Sequence, residues 1–106
     1  MSENIIQEID SLVKNNKVIL FMKGSAKMPQ CGFSAAVVYI LNQLEVPFID
    51  VNVLENMEIR EGIKIYADWP TIPQLYINGD FIGGCDIVRE MFTKGELQEL
   101  LKTIKS

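Results

Sequence analysis

A run of consecutive apolar residues, Val18–Met22, constrains the fold more than any other feature of this sequence. The run has the length of a strand, is rich in strand-forming residues and is closed by Lys23-Gly24. Because no polar residue occupies alternate positions, both faces of the strand must be covered by other parts of the chain. We therefore predict a central strand in a sheet with helices on each side, as is typical of α/β domains.

Segments with helical and strand periodicity alternate along the rest of the chain. They predict the order α-β-α-β-α-β-β-α-α, with Ser2 as the first N-cap and Asn78-Gly79 as a hairpin turn. This order resembles that of a thioredoxin-like fold: α/β, with a central four-stranded mixed sheet flanked by helices on both faces. The helical segments are residues 5–13, 35–44, 59–67, 87–91 and 97–104, and the other strands are residues 48–52, 74–77 and 81–82. The second helix is predicted to begin near Cys31.

Size, charge and composition exclude several classes of function. A chain of 106 residues without repeats or linkers is expected to form one domain, residues 1–106. A net charge of -4 disfavours nucleic acid as a partner. We expect no membrane partner, because no apolar run approaches the roughly 20 residues of a membrane span and the acidic N-terminus lacks a targeting pattern. The sequence contains no histidine, which leaves thiol and carboxylate chemistry as the main options.

Cys31 lies at the junction of the first predicted strand and the second predicted helix. There its sulfur would meet the free N–H groups of the helix, which favour a thiolate. Lys23 at the strand end would add a positive charge, unless it is simply solvated. Cys31 is therefore either a reactive thiol or a packing residue, and its position favours the former. With two cysteines in all, a disulfide scaffold is excluded and a reducing compartment is expected.

Three motifs follow one another in the chain. Cys31-Gly32-Phe33-Ser34 has the spacing of a redox C-x-x-C motif, but serine replaces the second thiol, so no disulfide can form within it. WPTIPQLY occupies residues 69–76 and GGCD occupies residues 83–86. Together the three motifs resemble the monothiol (CGFS-type) glutaredoxin family over essentially the whole chain.

The loop before Cys31 departs from the family pattern. The family commonly has Lys-Gly-Thr-Pro there, whereas here Lys23-Gly24 is followed by Ser25-Ala26. Without the proline the loop is conformationally less restricted. The departure therefore bears on loop rigidity and partner contacts more than on cluster binding.

The resemblance implies glutathione binding and, in single-domain members, a 2Fe-2S cluster held between two protomers. Such a cluster needs four ligands. Cys31 from each of two chains and the thiols of two glutathione molecules would supply them, so Cys31 is both the reactive residue and the metal ligand. The cluster would bridge a homodimer, and its exchangeable ligands would make it labile, which suits a carrier.

The resemblance also implies residues for one end of glutathione. Lys23 and Arg60 would hold the glycyl carboxylate, although Arg60 alone could equally be an ordinary surface residue. Pro73 resembles the family's cis-proline, which would leave the main chain of Ile72 free to pair with the cysteinyl unit. Without the resemblance, Pro73 would be expected to be trans.

The other end of glutathione is matched by the GGCD motif. The N–H groups of Cys85 and Asp86 at a helix start would receive the γ-glutamyl carboxylate, and Asp86 would pair with the α-ammonium. Gly83-Gly84 either permits close approach of the backbone or merely ends the hairpin. The Cys85 thiol is open to three interpretations: packing, a resolving partner for Cys31, or a site of glutathionylation. Trp69 is interpreted as a packing or interface residue.

Three functions follow from the motif set. The first is a glutathione-dependent 2Fe-2S carrier that passes its cluster to recipient proteins. The second is a monothiol oxidoreductase, in which Cys31 attacks a glutathione mixed disulfide and a second glutathione completes the cycle. The third is a regulatory module paired with a BolA-like protein. The bacterial cytoplasm is the favoured location, and a processed organellar form is the alternative.

Overall fold

The computed structural model describes residues 3–104, and its elements occur in the predicted order. The predicted cap Ser2 lies outside the described residues. Among the helices within this range, none is long and apolar enough to cross a membrane. The elements are α1 (Glu3–Asn15), β1 (Val18–Met22), α2 (Gly32–Gln43), β2 (Ile49–Asn52), a 3₁₀ turn (Val53–Glu55), α3 (Met57–Ala67), β3 (Gln74–Ile77), β4 (Asp80–Gly83), α4 (Cys85–Lys94) and α5 (Glu96–Lys102).

The four strands form one mixed sheet in the order β2-β1-β3-β4. Strand β1 pairs in parallel with β2, with Ile19 opposite Ile49, and antiparallel with β3. Strands β3 and β4 form the predicted hairpin, in whose turn Asn78 and Gly79 have φ angles of 54° and 83°. A two-residue type I′ turn requires positive φ at both positions. The predicted mixed sheet is confirmed.

Strand β1 lies at the centre of the molecule, and all five of its residues are buried. Its side chains alternate between the two faces of the sheet. Helices α1 and α3 cover the face of Ile19 and Phe21, whereas α2, α4 and α5 cover the face of Val18, Leu20 and Met22. Burying each such side chain stabilises the fold by about 1.5–3 kcal/mol. The prediction of helices on both faces is thus confirmed.

Helices α1 and α3 pack closely against each other. At Gly62 a Cβ atom would lie 2.9 Å from Cδ1 of Ile9, so a larger residue would require the Ile9 side chain to shift. Nearby, the Tyr66 hydroxyl donates a hydrogen bond of 2.6 Å to the Asp10 carboxylate. Burial, the hydrogen bond and the negative charge of Asp10 together raise the pKa of Tyr66 to about 12. The phenol is therefore protonated, and able to donate, at neutral pH.

Strand β2 differs from its prediction in where it begins and how it ends. It starts at Ile49, one residue later than predicted, and forms an edge of the sheet, where Ile49 is 47% exposed. It runs into the 3₁₀ turn Val53–Glu55, which hydrophobic periodicity did not predict. Asn52 Oδ1 accepts a hydrogen bond from the N–H of Leu54 at 3.0 Å, and Asn56 caps α3 in the same way. Side-chain caps set these boundaries.

Candidate functional site

Cys31 is the N-cap of α2 and is partly exposed. The pKa of Cys31 is lowered, chiefly by the backbone N–H of Ser34. The N–H of Phe33, the Ser34 hydroxyl and the charge of Lys23 also lower the pKa, whereas partial burial raises it. The sulfur forms no capping hydrogen bond of standard geometry. The donors therefore act through their dipoles and charge, which favour a thiolate.

We expect Cys31 to react as a thiolate at a lower pH than an unperturbed thiol. In a Cys85→Ser protein, where Cys31 is the remaining thiol, the rate of alkylation by iodoacetamide should have its midpoint below about pH 8.5. A midpoint at or above that of free cysteine measured in parallel would contradict this. Because the folded-state pKa is the lower one, ionisation of Cys31 stabilises the fold above the unfolded-state pKa, and this contribution disappears as pH falls through the folded-state pKa.

Ser34 occupies the position that a second thiol would take in a C-x-x-C motif. Its side chain is fully buried, and its Oγ accepts a hydrogen bond of 3.1 Å from the backbone N–H of Lys23. The bond joins the end of β1 to the first turn of α2. Ser34 thus holds together the two segments that carry Lys23 and Cys31.

The segment between α3 and β3 forms a wall of the site, and its Ile72–Pro73 peptide bond is cis, the geometry that the resemblance implied. The next residue, Gln74, is fully buried. Its Nε2 donates to the carbonyl oxygens of Trp69 and Thr71, both at 3.2 Å, and its Oε1 accepts from the Tyr76 hydroxyl at 2.9 Å. Gln74 therefore fastens this wall to β3, a role that sequence reasoning missed.

Replacing Gln74 with leucine should destabilise the protein strongly. The substitution keeps the approximate volume but leaves two carbonyl groups and one hydroxyl without their partner. We expect the free energy of unfolding in urea to fall by about 2–4 kcal/mol. Gln43→Leu, at an exposed position near the end of α2, serves as the matched control and should change it by less than about 0.5 kcal/mol. Equal losses in the two variants would refute the proposed role of Gln74.

Helix α4 begins at Cys85, directly after a tightly packed glycine. A Cβ atom on Gly84 would lie 3.3 Å from the carbonyl oxygen of Pro73. The first N–H groups of a helix have no partner within it, which leaves those at the start of α4 available as donors. The Asp86 side chain is 91% exposed and lies 3.8 Å from Arg89, whereas Cys85 is buried and its Sγ accepts a hydrogen bond of 3.3 Å from Arg89 Nη2.

Two adjoining recesses bring most of the predicted residues together, and we call their union the thiol groove. The recesses share Phe33, Thr71 and Ile72. The first is also lined by Lys23, Cys31, Lys64 and Pro70, and the second by Trp69, Pro73, Gly84, Cys85, Asp86 and Ile87.

Arg60 is the one predicted site residue that does not line the thiol groove. Lys64, which sequence reasoning missed, lines it instead. The two residues lie four positions apart and so share a face of α3. This spacing is the signal that could have identified Lys64.

Two cations at or beside the groove lack acidic partners. Within residues 3–104 neither Lys23 nor Arg60 forms an ion pair, and the buried Nε of Arg60 has no hydrogen-bond partner. Lys64 is paired with Glu61 at 3.6 Å, an exposed contact of little strength. Lys23 and Arg60 are therefore available to an anionic ligand, such as one that carries carboxylates.

Comparison with known proteins identifies relatives that are named monothiol glutaredoxins. A protein named probable monothiol glutaredoxin 2, from Rickettsia conorii, is 60% identical over 94 residues, which cover 89% of this chain and 88% of that protein. The chloroplastic monothiol glutaredoxin-S14 of Arabidopsis thaliana is 59% identical over 91 residues, covering 86% of this chain and 53% of that protein. The solution structure of reduced poplar apo GrxS14 has a TM-score of 0.80 and 54% identity, covering 92% of this chain and 89% of that chain.

A family model described as Glutaredoxin matches residues 18–82, which run from β1 into β4. The match contains Cys31, which is the single thiol of its motif, and the segment with the cis peptide bond between Ile72 and Pro73. The relatives named above are monothiol proteins and cover most of the chain. The chain therefore belongs to the glutaredoxin family, as a monothiol glutaredoxin with a thioredoxin-like fold.

Proposed function

We propose that this chain is a single-domain, glutathione-dependent carrier of 2Fe-2S clusters, which holds its cargo between two protomers and passes it to recipient proteins. The observation that carries the proposal is a partly exposed cysteine, Cys31, whose pKa is lowered and whose motif has no second thiol. Such a thiolate is a good metal ligand and cannot be consumed by a disulfide within its own motif.

The number of available thiolates supports a cluster shared between two chains. A 2Fe-2S cluster takes four ligands. Cys31 supplies one from each protomer, and the thiols of two glutathione molecules supply the others. We do not propose Cys85 as a ligand of the cluster, because it is buried and its sulfur accepts a hydrogen bond from Arg89. Two exchangeable ligands out of four make transfer to a recipient easier than release from four protein thiolates.

The thiol groove offers partners for the charged groups at one end of glutathione. The ammonium groups of Lys23 and Lys64 would hold the glycyl carboxylate, and the unpaired guanidinium of Arg60 lies on the same helix face as Lys64. The main chain of Ile72 has no hydrogen-bond partner within residues 3–104, which leaves it free to pair with the cysteinyl unit.

At the other end, the start of α4 would receive the γ-glutamyl group. The N–H groups of Cys85 and Asp86 would bind its carboxylate. The exposed carboxylate of Asp86 would bind its ammonium, in exchange for the weak contact with Arg89. Pro73 and Gly84 pack against each other and line the groove between the two ends.

The proposal extends to partners and location. A second copy of the chain, cluster recipients and a BolA-like protein are the proposed protein partners. The proposed location is the bacterial cytoplasm; the relative from Rickettsia conorii supports the bacterial part of this proposal, and the chloroplastic relative from Arabidopsis thaliana keeps an organellar location as the alternative.

Anaerobic reconstitution tests the proposal. The protein is incubated with iron and sulfide, with and without glutathione, and its visible spectrum and solution mass are recorded. We expect a 2Fe-2S spectrum on a dimer when glutathione is present and a colourless protein when it is omitted. A cluster that forms equally well without glutathione would overturn the ligand assignment. A colourless monomer in both samples would overturn the carrier function.

The lowered pKa of Cys31 also favours a second candidate function, a monothiol oxidoreductase. In that reaction the thiolate attacks the disulfide of a glutathionylated substrate, releases the substrate thiolate and becomes glutathionylated itself. A second glutathione then forms glutathione disulfide and regenerates Cys31. Turnover of a glutathionylated peptide by a protein that binds no cluster would identify this function.

A further inference from the structure

The loop between β1 and α2 is fastened to edge strand β2 by two side chains. The N–H of Ala26 donates a hydrogen bond of 2.8 Å to Oδ2 of Asp50, and the N–H of Gly24 donates one of 2.9 Å to Oδ1 of Asn52. Both acceptors belong to β2, which pairs directly with β1. The loop is thus attached to the sheet at points other than its own ends.

Within itself the loop is a closed unit. The N–H of Gln30 donates to the carbonyl oxygen of Lys23 at 2.9 Å, and Ser25 and Met28 exchange backbone hydrogen bonds of 3.2 and 3.1 Å. Gly24 and Pro29 form an isolated β-bridge. Because the loop is closed on itself, its placement against the sheet depends on contacts outside it, which are the two bonds to β2 and the packing of Ala26 against the core. Together with the bond between Ser34 and Lys23, that placement contributes to the positions of Lys23 before the loop and Cys31 after it.

The donor of the hydrogen bond to Asp50 is the N–H of Ala26, which stands at a position where this chain departs from the family pattern. A proline at position 26 would have no N–H to donate, but its ring would restrict the backbone directly. Alanine leaves the backbone freer and supplies the donor that Asp50 accepts. The side-chain contact and the proline ring are therefore two alternative ways of restricting the same segment.

We propose that Asp50 is a positioning residue for the thiol groove, which acts through the N–H of Ala26 and replaces the restriction that a proline at position 26 would provide. Asp50 does not line the groove, so its effect is indirect. The proposal rests on the function proposed above in one respect, since it uses glutathione as the ligand of the groove.

A double-mutant cycle with Asp50→Ala and Ala26→Pro tests the proposal. The dissociation constant for glutathione and the hydrogen-exchange rates of the non-proline amides of residues 24–31 are measured by NMR in the full-length protein. The free energy of unfolding is measured alongside. Asp50→Asn retains an acceptor oxygen and should behave close to wild type. Asp80→Ala, an exposed aspartate on the opposite edge strand, is the matched control.

With Ala26 present, we expect Asp50→Ala to weaken glutathione binding about threefold to tenfold, the scale of one ordinary hydrogen bond, and to speed exchange in the loop. In the Ala26→Pro background, the same substitution should change the affinity less than about twofold. Equal effects in both backgrounds, or no effect in either, would overturn the proposal. If the wild-type protein binds no glutathione, the proposed function fails, and loop exchange alone decides whether Asp50 restricts the loop.

Discussion

A Cys31→Ser protein should fold normally and hold no cluster. Serine's hydroxyl stays protonated under conditions in which Cys31 is a thiolate, and it is a poor ligand for iron in a cluster of this kind. After reconstitution with iron, sulfide and glutathione we expect complete loss of the 2Fe-2S spectrum and a monomeric mass. Cys85→Ser is the matched control and should retain both spectrum and dimer, because the Cys85 sulfur is buried against Arg89.

The Cys31→Ser variant should lose cluster binding without losing stability. Cys31 occupies the N-cap of α2 and makes no capping hydrogen bond, whereas serine is among the preferred N-cap residues. We expect the free energy of unfolding of Cys31→Ser to be unchanged or higher by up to about 1 kcal/mol. Loss of the cluster together with a large loss of stability would mean that Cys31 is a structural residue, against our proposal.

Gly24→Ala should produce the largest loss of stability among single substitutions in the loop. Gly24 has φ of 88°, where an L-residue is strained, and its Cβ would lie 2.5 Å from the backbone nitrogen of Gln30 and 2.6 Å from the carbonyl oxygen of Met28. Both contacts are with backbone, so a rotamer change cannot relieve them. We expect the free energy of unfolding to fall by about 3 kcal/mol or more, with cluster binding weakened in parallel.

Gly32→Ala is the matched control for that prediction. A Cβ at Gly32 meets nothing within 4 Å, and the residue opens α2, where alanine is a better helix former than glycine. The same chemical change should therefore raise stability by about 0.5–1 kcal/mol. Urea unfolding of both variants measures the contrast. A Gly24→Ala protein as stable as Gly32→Ala would show that the loop can rearrange freely.

The sequence sufficed to predict those parts of the fold that depend on burial and on local turn chemistry. The continuous apolar run of β1 required cover on both faces, and Asn78-Gly79 required a tight hairpin. The 3₁₀ turn was missed because it depends on a hydrogen bond that the Asn52 side chain accepts from the N–H of Leu54, which apolar periodicity does not register.

The candidate site was predictable only where a motif fixed the backbone. Cys31 and the cis peptide before Pro73 lie where the motifs placed them. Lys64 and Gln74 escaped notice for a different reason, because their importance lies in contacts with groups distant in sequence or across the groove. A lysine on a helix is usually a solvated residue, and a glutamine after a proline gives no sign that it is fully buried.

The hydrogen bond between Tyr66 and Asp10 has a consequence under alkaline conditions. In the unfolded chain a tyrosine ionises near pH 10, whereas burial and the bond to Asp10 raise the pKa of Tyr66 to about 12 in the folded protein. At neutral pH both states keep the tyrosine proton, and the raised pKa has its full stabilising effect. Between pH 10 and 12 the unfolded chain loses its proton first, so the contribution declines as pH rises. Ionisation of Tyr66 therefore weakens the contact between α1 and α3 in base, whereas acid does not change the charge of this tyrosine.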